Sequence, residues 1–220
     1  MEYFYSWGLL FVLPFTIYFY IKNDKSIRIK MMVSGLGFGI MAVCFSYIYF
    51  NYWNPTYLIT NFHIEDFLYG FLFAGMITGV ANSLNKTKLV GKCKLNIKLT
   101  AIYSIILLLS FIIFVNVLKI NYIYILSFVP LLIGVISYKK VKGKIINVIL
   151  TSLISLFITL FVYNLIILIY PDAIINHFLL QNISNIVWLK VPMEEWLFAI
   201  CLGVGCTYSY EAIFNLKETN

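Results

Sequence analysis

Apolar residues fill this chain in long blocks separated by short polar gaps. Seven blocks have the length and flanks of membrane-crossing helices, over approximately residues 3–21, 29–50, 64–84, 99–118, 121–138, 145–169 and 192–214. Of the longer gaps, 51–63 and 170–190 are rich in aromatics and amides and read as interfacial covers over helix ends, where Trp and Tyr are favoured.

Composition settles the class. The 220 residues are 62% hydrophobic and only 11% charged, with a mean hydropathy of +0.91, which excludes an ordinary soluble domain. The expectation is an all-α polytopic membrane protein in the lipid bilayer. The net charge of +7 does not point to nucleic acid, because the basic residues sit in the gaps. Lys22, Lys25, Arg28 and Lys30 follow the first block, Lys86 to Lys98 the third, and Lys139, Lys140, Lys142 and Lys144 the fifth. The opposite gaps offer only Lys119 and Lys190. By the positive-inside rule this places the N-terminus outside and the C-terminus in the cytoplasm. The N-terminus lacks a basic region and a small-residue cleavage site, so the first block reads as a retained helix.

Two phrases in the chain are alike. His63-Ile64-Glu65-Asp66-Phe67-Leu68-Tyr69 aligns without gaps on Pro192-Met193-Glu194-Glu195-Trp196-Leu197-Phe198. Each begins an apolar helix that runs from outside to inside. Blocks one to three (residues 1–84) and five to seven (121–220) then form two similar three-helix units, joined by a linker and spacer helix (85–120). Parallel repeats of this kind place their site at the mutual interface.

A carboxylate at bilayer depth is costly and marks a functional site by default. Glu65, Asp66, Glu194 and Glu195 also suit plain helix capping, since acids complement the helix dipole. Capping needs one acid, however, and both phrases carry two. Neighbouring helix positions point about 100° apart, so one acid of each pair can face a cleft while the other braces, with Glu194 and Glu65 the acid/base candidates and Glu195 and Asp66 their partners. A poorly hydrated cleft favours the neutral carboxylic acid, the form that general-acid chemistry requires. Trp53, Trp188, Trp196, Phe67, Tyr69 and Phe198 cluster in sequence around these acids. Such rings are commonly interfacial packing, but around an acid their π-faces stabilise a cation.

Other features carry less. His63 orients Glu65 or is an interfacial polar residue, and Lys190 is placed to pair with Glu194 or Glu195. Gly35, Gly37 and Gly39 lie inside an apolar block, where helix packing is the better reading than a dinucleotide loop. The four cysteines and two histidines show no metal-ligand spacing, and no cofactor motif is present.

The run Trp53-Asn54-Pro55-Thr56-Tyr57-Leu58, the phrase from Ile64 to Gly70, and Pro192-Met193-Glu194-Glu195-Trp196-Leu197-Phe198 together resemble the lycopene cyclase domain family of small integral-membrane carotenoid cyclases. The resemblance implies a cofactor-independent isomerisation. A carboxylic acid protonates the terminal double bond of a linear isoprenoid, the cation closes a ring, and a base removes a proton. It assigns Pro192, Glu194 and Glu195 to the family signature. It extends to Glu65 and Asp66 with His63 standing where the signature has proline. A further departure is the second helix, which reads Cys44-Phe45-Ser46-Tyr47-Ile48-Tyr49 where the family often has an acid near the outer end.

Two other classes compete. An intramembrane protease of the CAAX-processing type also uses a Glu-Glu pair but needs an Arg four residues on, where this chain has Ala199. A membrane binding or carrier protein would use the same carboxylate cleft. A greasy tunnel reaching the acids favours the cyclase; a hydrated path to the cytoplasm favours the carrier.

Overall fold

The computed structural model describes residues 4–47, 52–55, 57 and 63–219. Of the amide- and aromatic-rich stretch 51–63, residues 51, 56 and 58–62 lie outside this set, as do residues 48–50 at the expected end of the second block.

The chain is mostly helical. It runs α1 (Phe4–Lys22), α2 (Lys25–Ser46), α3 (Ile64–Asn85), β1 (Lys88–Val90), α4 (Ile97–Phe111), α5 (Tyr122–Val141), α6 (Ile145–Ile169), a one-turn α7 (Ala173–His177), β2 (Val187–Trp188), β3 (Val191–Pro192), α8 (Met193–Phe214) and β4 (Lys217–Thr219). α4 ends in a π-helical turn over Ile112–Val117. Among the described residues, α2, α3, α4, α5, α6 and α8 are long and apolar enough to cross a membrane, and α1 is a shorter apolar helix over Ser6–Lys22. The lipid-facing character shows in what is exposed. Leu36, Ile40, Ile105, Leu153 and Phe157 lie on the outside while Asn82, Ser155, Thr159 and Glu211 are buried. A multi-pass membrane protein places its residues this way.

Most helix limits fall close to the sequence expectation, and α6 matches it. α2 begins four residues earlier than the apolar pattern predicts, because Asp24 caps it: its Oδ1 accepts from the Ile27 amide at 3.0 Å and the Ser26 hydroxyl at 2.8 Å. This moves Lys25 and Arg28 out of a gap and into the helix, with Lys30 well inside it.

Close packing follows the glycines. α2 lies antiparallel on α3, where a Cβ on Gly35 would stand 2.5 Å from the Phe71 carbonyl oxygen and one on Gly39 would meet Phe67 at 2.9 Å. Gly37, between them, faces open space. The pair at i and i+4 is therefore the contact stripe, as small residues are in membrane helices. α1 runs parallel to α3, with Thr16 donating to the Leu72 carbonyl and Asn23 to that of Gly79. On the other side, α5 runs parallel to α8, and α6 lies antiparallel to it with Gly203 against Ser152. α3 and α8 pack on each other.

At the basic end of the bundle, Lys30 is fully buried. Its ammonium donates to Glu211 Oε1 at 2.7 Å, Asn82 Oδ1 at 3.0 Å and the Thr207 carbonyl at 3.1 Å. Asn82 passes the network to Glu218 on β4 at 2.7 Å, and β4 pairs antiparallel with β1. α2, α3, α8 and the C-terminal strand are thus tied at one point.

The stretch 170–190 is not an irregular cover. α7 packs inward through Ala173, Ile174 and His177, and Trp53 bridges to Phe178. β2 and β3 form a hairpin whose turn residues Leu189 and Lys190 both have positive φ, the conformation a two-residue hairpin turn requires. That turn holds Lys190 exposed, and its ammonium makes no ion pair with either acid of α8. The expected Lys190–glutamate pair is absent for this reason.

Candidate functional site

At the acidic helix starts, a cavity of about 140 Å³ lies in the middle of the bundle. α1, α2, α3, α5, α6 and α8 all contribute to its wall, with Tyr52 and Trp53 from the stretch between α2 and α3 closing one side. Asp66 and Glu195 line it, one from each acidic pair; Glu65 and Glu194 are buried but do not.

Glu195 is held by two phenols. Tyr52 donates to its Oε1, and Tyr163, from the C-terminal third of α6, donates to Oε2 at 2.8 Å. Burial first, and then the neighbouring Glu195 carboxylate, push the Tyr52 phenol well above its ordinary value. It therefore stays protonated and acts as a donor. Asp66 Oδ2 accepts from the Tyr57 hydroxyl at 2.7 Å and lies 3.7 Å from His63 Nδ1. The His63 ring is stacked between Tyr57, at 4.0 Å between centroids, and Tyr47, at 4.8 Å, and bonds Ser46 Oγ at 2.6 Å. His63 thus contacts Asp66 rather than the cavity.

Glu194 points the other way. Its Oε1 accepts from the Tyr124 hydroxyl at 2.8 Å and the Ser184 amide at 2.9 Å, tying α8 to α5 and to the turn before β2. One acid of the α8 pair faces the cavity and the other braces a loop, a consequence of the 100° step between them.

The aromatic residues divide in the same manner. Trp53, Tyr69 and Phe198 line the cavity. Phe67 does not, because it fills the contact with Gly39 of α2 and stacks on Phe71. Trp188 and Trp196 stack on each other at 4.5 Å, with Trp188 exposed, on the outer side of the hairpin. Neither lines the cavity that Glu195 reaches.

Several residues of the site were not singled out from the sequence. Tyr52 and Tyr163 hold Glu195, and Thr159 lines the cavity with a hydroxyl that has no hydrogen-bond partner among the described residues. A polar hydroxyl within α6 was the available signal for Tyr163, and a lone acid late in α8 was that for Glu211. Chemically, the arrangement offers two carboxyls, two phenol donors on one of them, and aromatic faces in an otherwise apolar chamber. In comparison with known proteins, no family model, no curated protein and no solved structure matches this chain.

Proposed function

We propose that the protein is an intramembrane isoprenoid cyclase, of the lycopene β-cyclase-like type that its motifs resemble. The observation that carries the reading is the pairing of Glu195 and Asp66 across one small apolar cavity walled by aromatic rings. In this reading Glu195 donates a proton to the terminal alkene, and the electron pair of that double bond forms the new C–H bond. The carboxylate left behind is held by Tyr52 and Tyr163. Hydrogen bonds to a charged acceptor are about twice as strong as neutral ones, so these donors act as charge develops, which is where catalysis needs them. The cation sits among Trp53, Tyr69 and Phe73, whose π-faces stabilise it. A neighbouring double bond closes the ring, and Asp66 takes up the proton lost from the cyclic cation. The product is an isomer of the substrate, and before the next turnover Asp66 gives its proton to solvent and Glu195 takes one from solvent.

The two-unit layout belongs to the same reading. α1 parallel and α2 antiparallel to α3 corresponds to α5 parallel and α6 antiparallel to α8, with α4 as spacer, and the acids start α3 and α8 at the same end. The basic loops lie at the opposite end, which we assign to the cytoplasm. α1 is the seventh span. The carrier alternative asks for a hydrated path from the acids to the basic end; the apolar walls around the cavity favour the cyclase instead.

The test is solvent-proton incorporation. Purified protein in nanodiscs, given lycopene in heavy water, is expected to form a cyclic carotene carrying one deuterium per ring, and Asp66→Asn is expected to stop it. A cyclic product without deuterium, or an unaffected Asp66→Asn variant, would refute the acid–base assignment.

A further inference from the structure

A second cavity, of about 280 Å³, lies between α2, α4, α5 and α8. It shares the wall residues Leu126, Phe198 and Leu202 with the cavity at Glu195, so the two chambers adjoin across these three side chains. Its shape is elongated. α8 lines it with Phe198, Leu202, Gly205, Ser209 and Ile213, a single face of the helix covering about 22 Å at 1.5 Å per residue. Of the hydroxyls on its wall, that of Tyr103 bonds Ser137 Oγ at 2.6 Å and that of Thr100 the Asn96 carbonyl at 3.0 Å, with Ser104 and Ser209 the other two. Most of the remaining lining is hydrocarbon. On α4, Ser104 lines the furrow and is exposed, so the furrow opens sideways toward lipid rather than to either aqueous face.

Volume decides what each chamber can hold. A cavity of roughly 150 Å³ takes one benzene-sized ring, and the chamber at Glu195, at 140 Å³, is of that size. It has no room for a long chain. The two chambers together, 140 and 280 Å³, come to about 420 Å³, within the usual range of a ligand site.

We infer that the furrow between α2, α4, α5 and α8 is the binding site for the unreacted tail of a linear isoprenoid hydrocarbon. Its reacting end passes Phe198 and Leu202 to reach Glu195, and the chain enters laterally from the bilayer past Ser104. This rests on reading the Glu195 cavity as the reaction chamber. Such a site recognises length and apolarity, takes one chain end at a time, and releases the molecule by the same side opening.

The experiment is retention of defined probes by the full-length protein in nanodiscs, followed by mass spectrometry: squalene as a long linear isoprenoid, geraniol as a short one, and oleic acid as an ordinary acyl chain. The expected result is squalene retained over both others. Ser209→Trp, which fills the furrow, is expected to lower squalene retention about tenfold while geraniol changes by less than about twofold. Ser104→Trp, at the exposed opening and so tolerant of a large side chain, is expected to slow squalene uptake. Equal retention of squalene by both variants and the parent would overturn the inference, as would oleic acid retained as well as squalene. Glu195→Gln is expected to keep squalene, which separates this site from the chemistry. A squalene site without ring formation on lycopene removes the cyclase and keeps the chain site. Ring formation insensitive to both tryptophans keeps the cyclase and removes the chain site.

Discussion

Lys30→Met should be among the most destabilising single changes in the protein. Both charges of the Lys30–Glu211 pair are fully buried, and all three ammonium donors are used, by Glu211, Asn82 and the Thr207 carbonyl. Removing the lysine strands the Glu211 carboxylate in the bundle and unpairs two further acceptors. Breaking one side of a buried ion pair costs about 3–5 kcal/mol. At roughly 2–4 °C per kcal/mol for a chain of this length, the melting temperature should fall by about 6–20 °C. The double variant Lys30→Met/Glu211→Leu removes both charges, and replacing a buried pair with apolar residues is often neutral or stabilising. It should recover most of the loss. The assay is thermal unfolding by intrinsic fluorescence in one detergent for parent, both single variants and the double. A single-variant shift below about 2 °C, or a double variant no better than Lys30→Met, would refute the reasoning.

Three further outcomes are expected. Tyr163→Phe removes one donor from Glu195 and should lower ring-forming turnover by about 10²–10³-fold, as loss of an oxyanion donor does, measured as initial rate on lycopene. Gly134→Ala places a methyl 2.5 Å from the Val204 carbonyl oxygen and should cost about 1–3 kcal/mol, whereas Gly37→Ala, with nothing within 4 Å, should be neutral or stabilising by up to about 1 kcal/mol; melting curves of the two variants decide this. His177 is buried, and burial lowers its imidazole below the usual 6.5. Its contribution to stability is full above that value and is lost as pH falls through the folded-state value. The parent should thus lose more stability between pH 7.5 and 5 than His177→Phe does, and equal losses in the two would contradict the assignment.

The helices were legible because apolar blocks of membrane length leave little choice, and α6 shows it most plainly. Helix faces were not. In α2, Lys30 reads as one of a cluster of basic topology residues, since charge near a helix end looks the same in sequence whether it faces water or the bundle. Its burial against Glu211 depends on how α2 is turned toward α3 and α8. At the start of α8 the two adjacent acids look alike in sequence, and Glu194, the expected acid/base candidate, braces Ser184 while its partner Glu195 lines the cavity. That choice depends on the rotation of the helix against α5 and α6. Tyr163 was hidden in an apolar run, and proximity in sequence to the acids did not reveal that Trp188 is exposed on the hairpin while Trp196 packs against it from α8. The short elements between α6 and α8 are too brief for periodicity to reveal.

The most direct test of the central claim is pigment analysis of a lycopene-accumulating bacterial host expressing the protein, with membrane insertion checked for every variant. The account predicts conversion of lycopene to a cyclic carotene, abolished in Glu195→Gln and retained at reduced rate in Glu194→Gln, because of these two acids Glu195 lines the cavity and Glu194 does not. Unchanged lycopene with well-inserted parent protein, or conversion that survives Glu195→Gln, would contradict it.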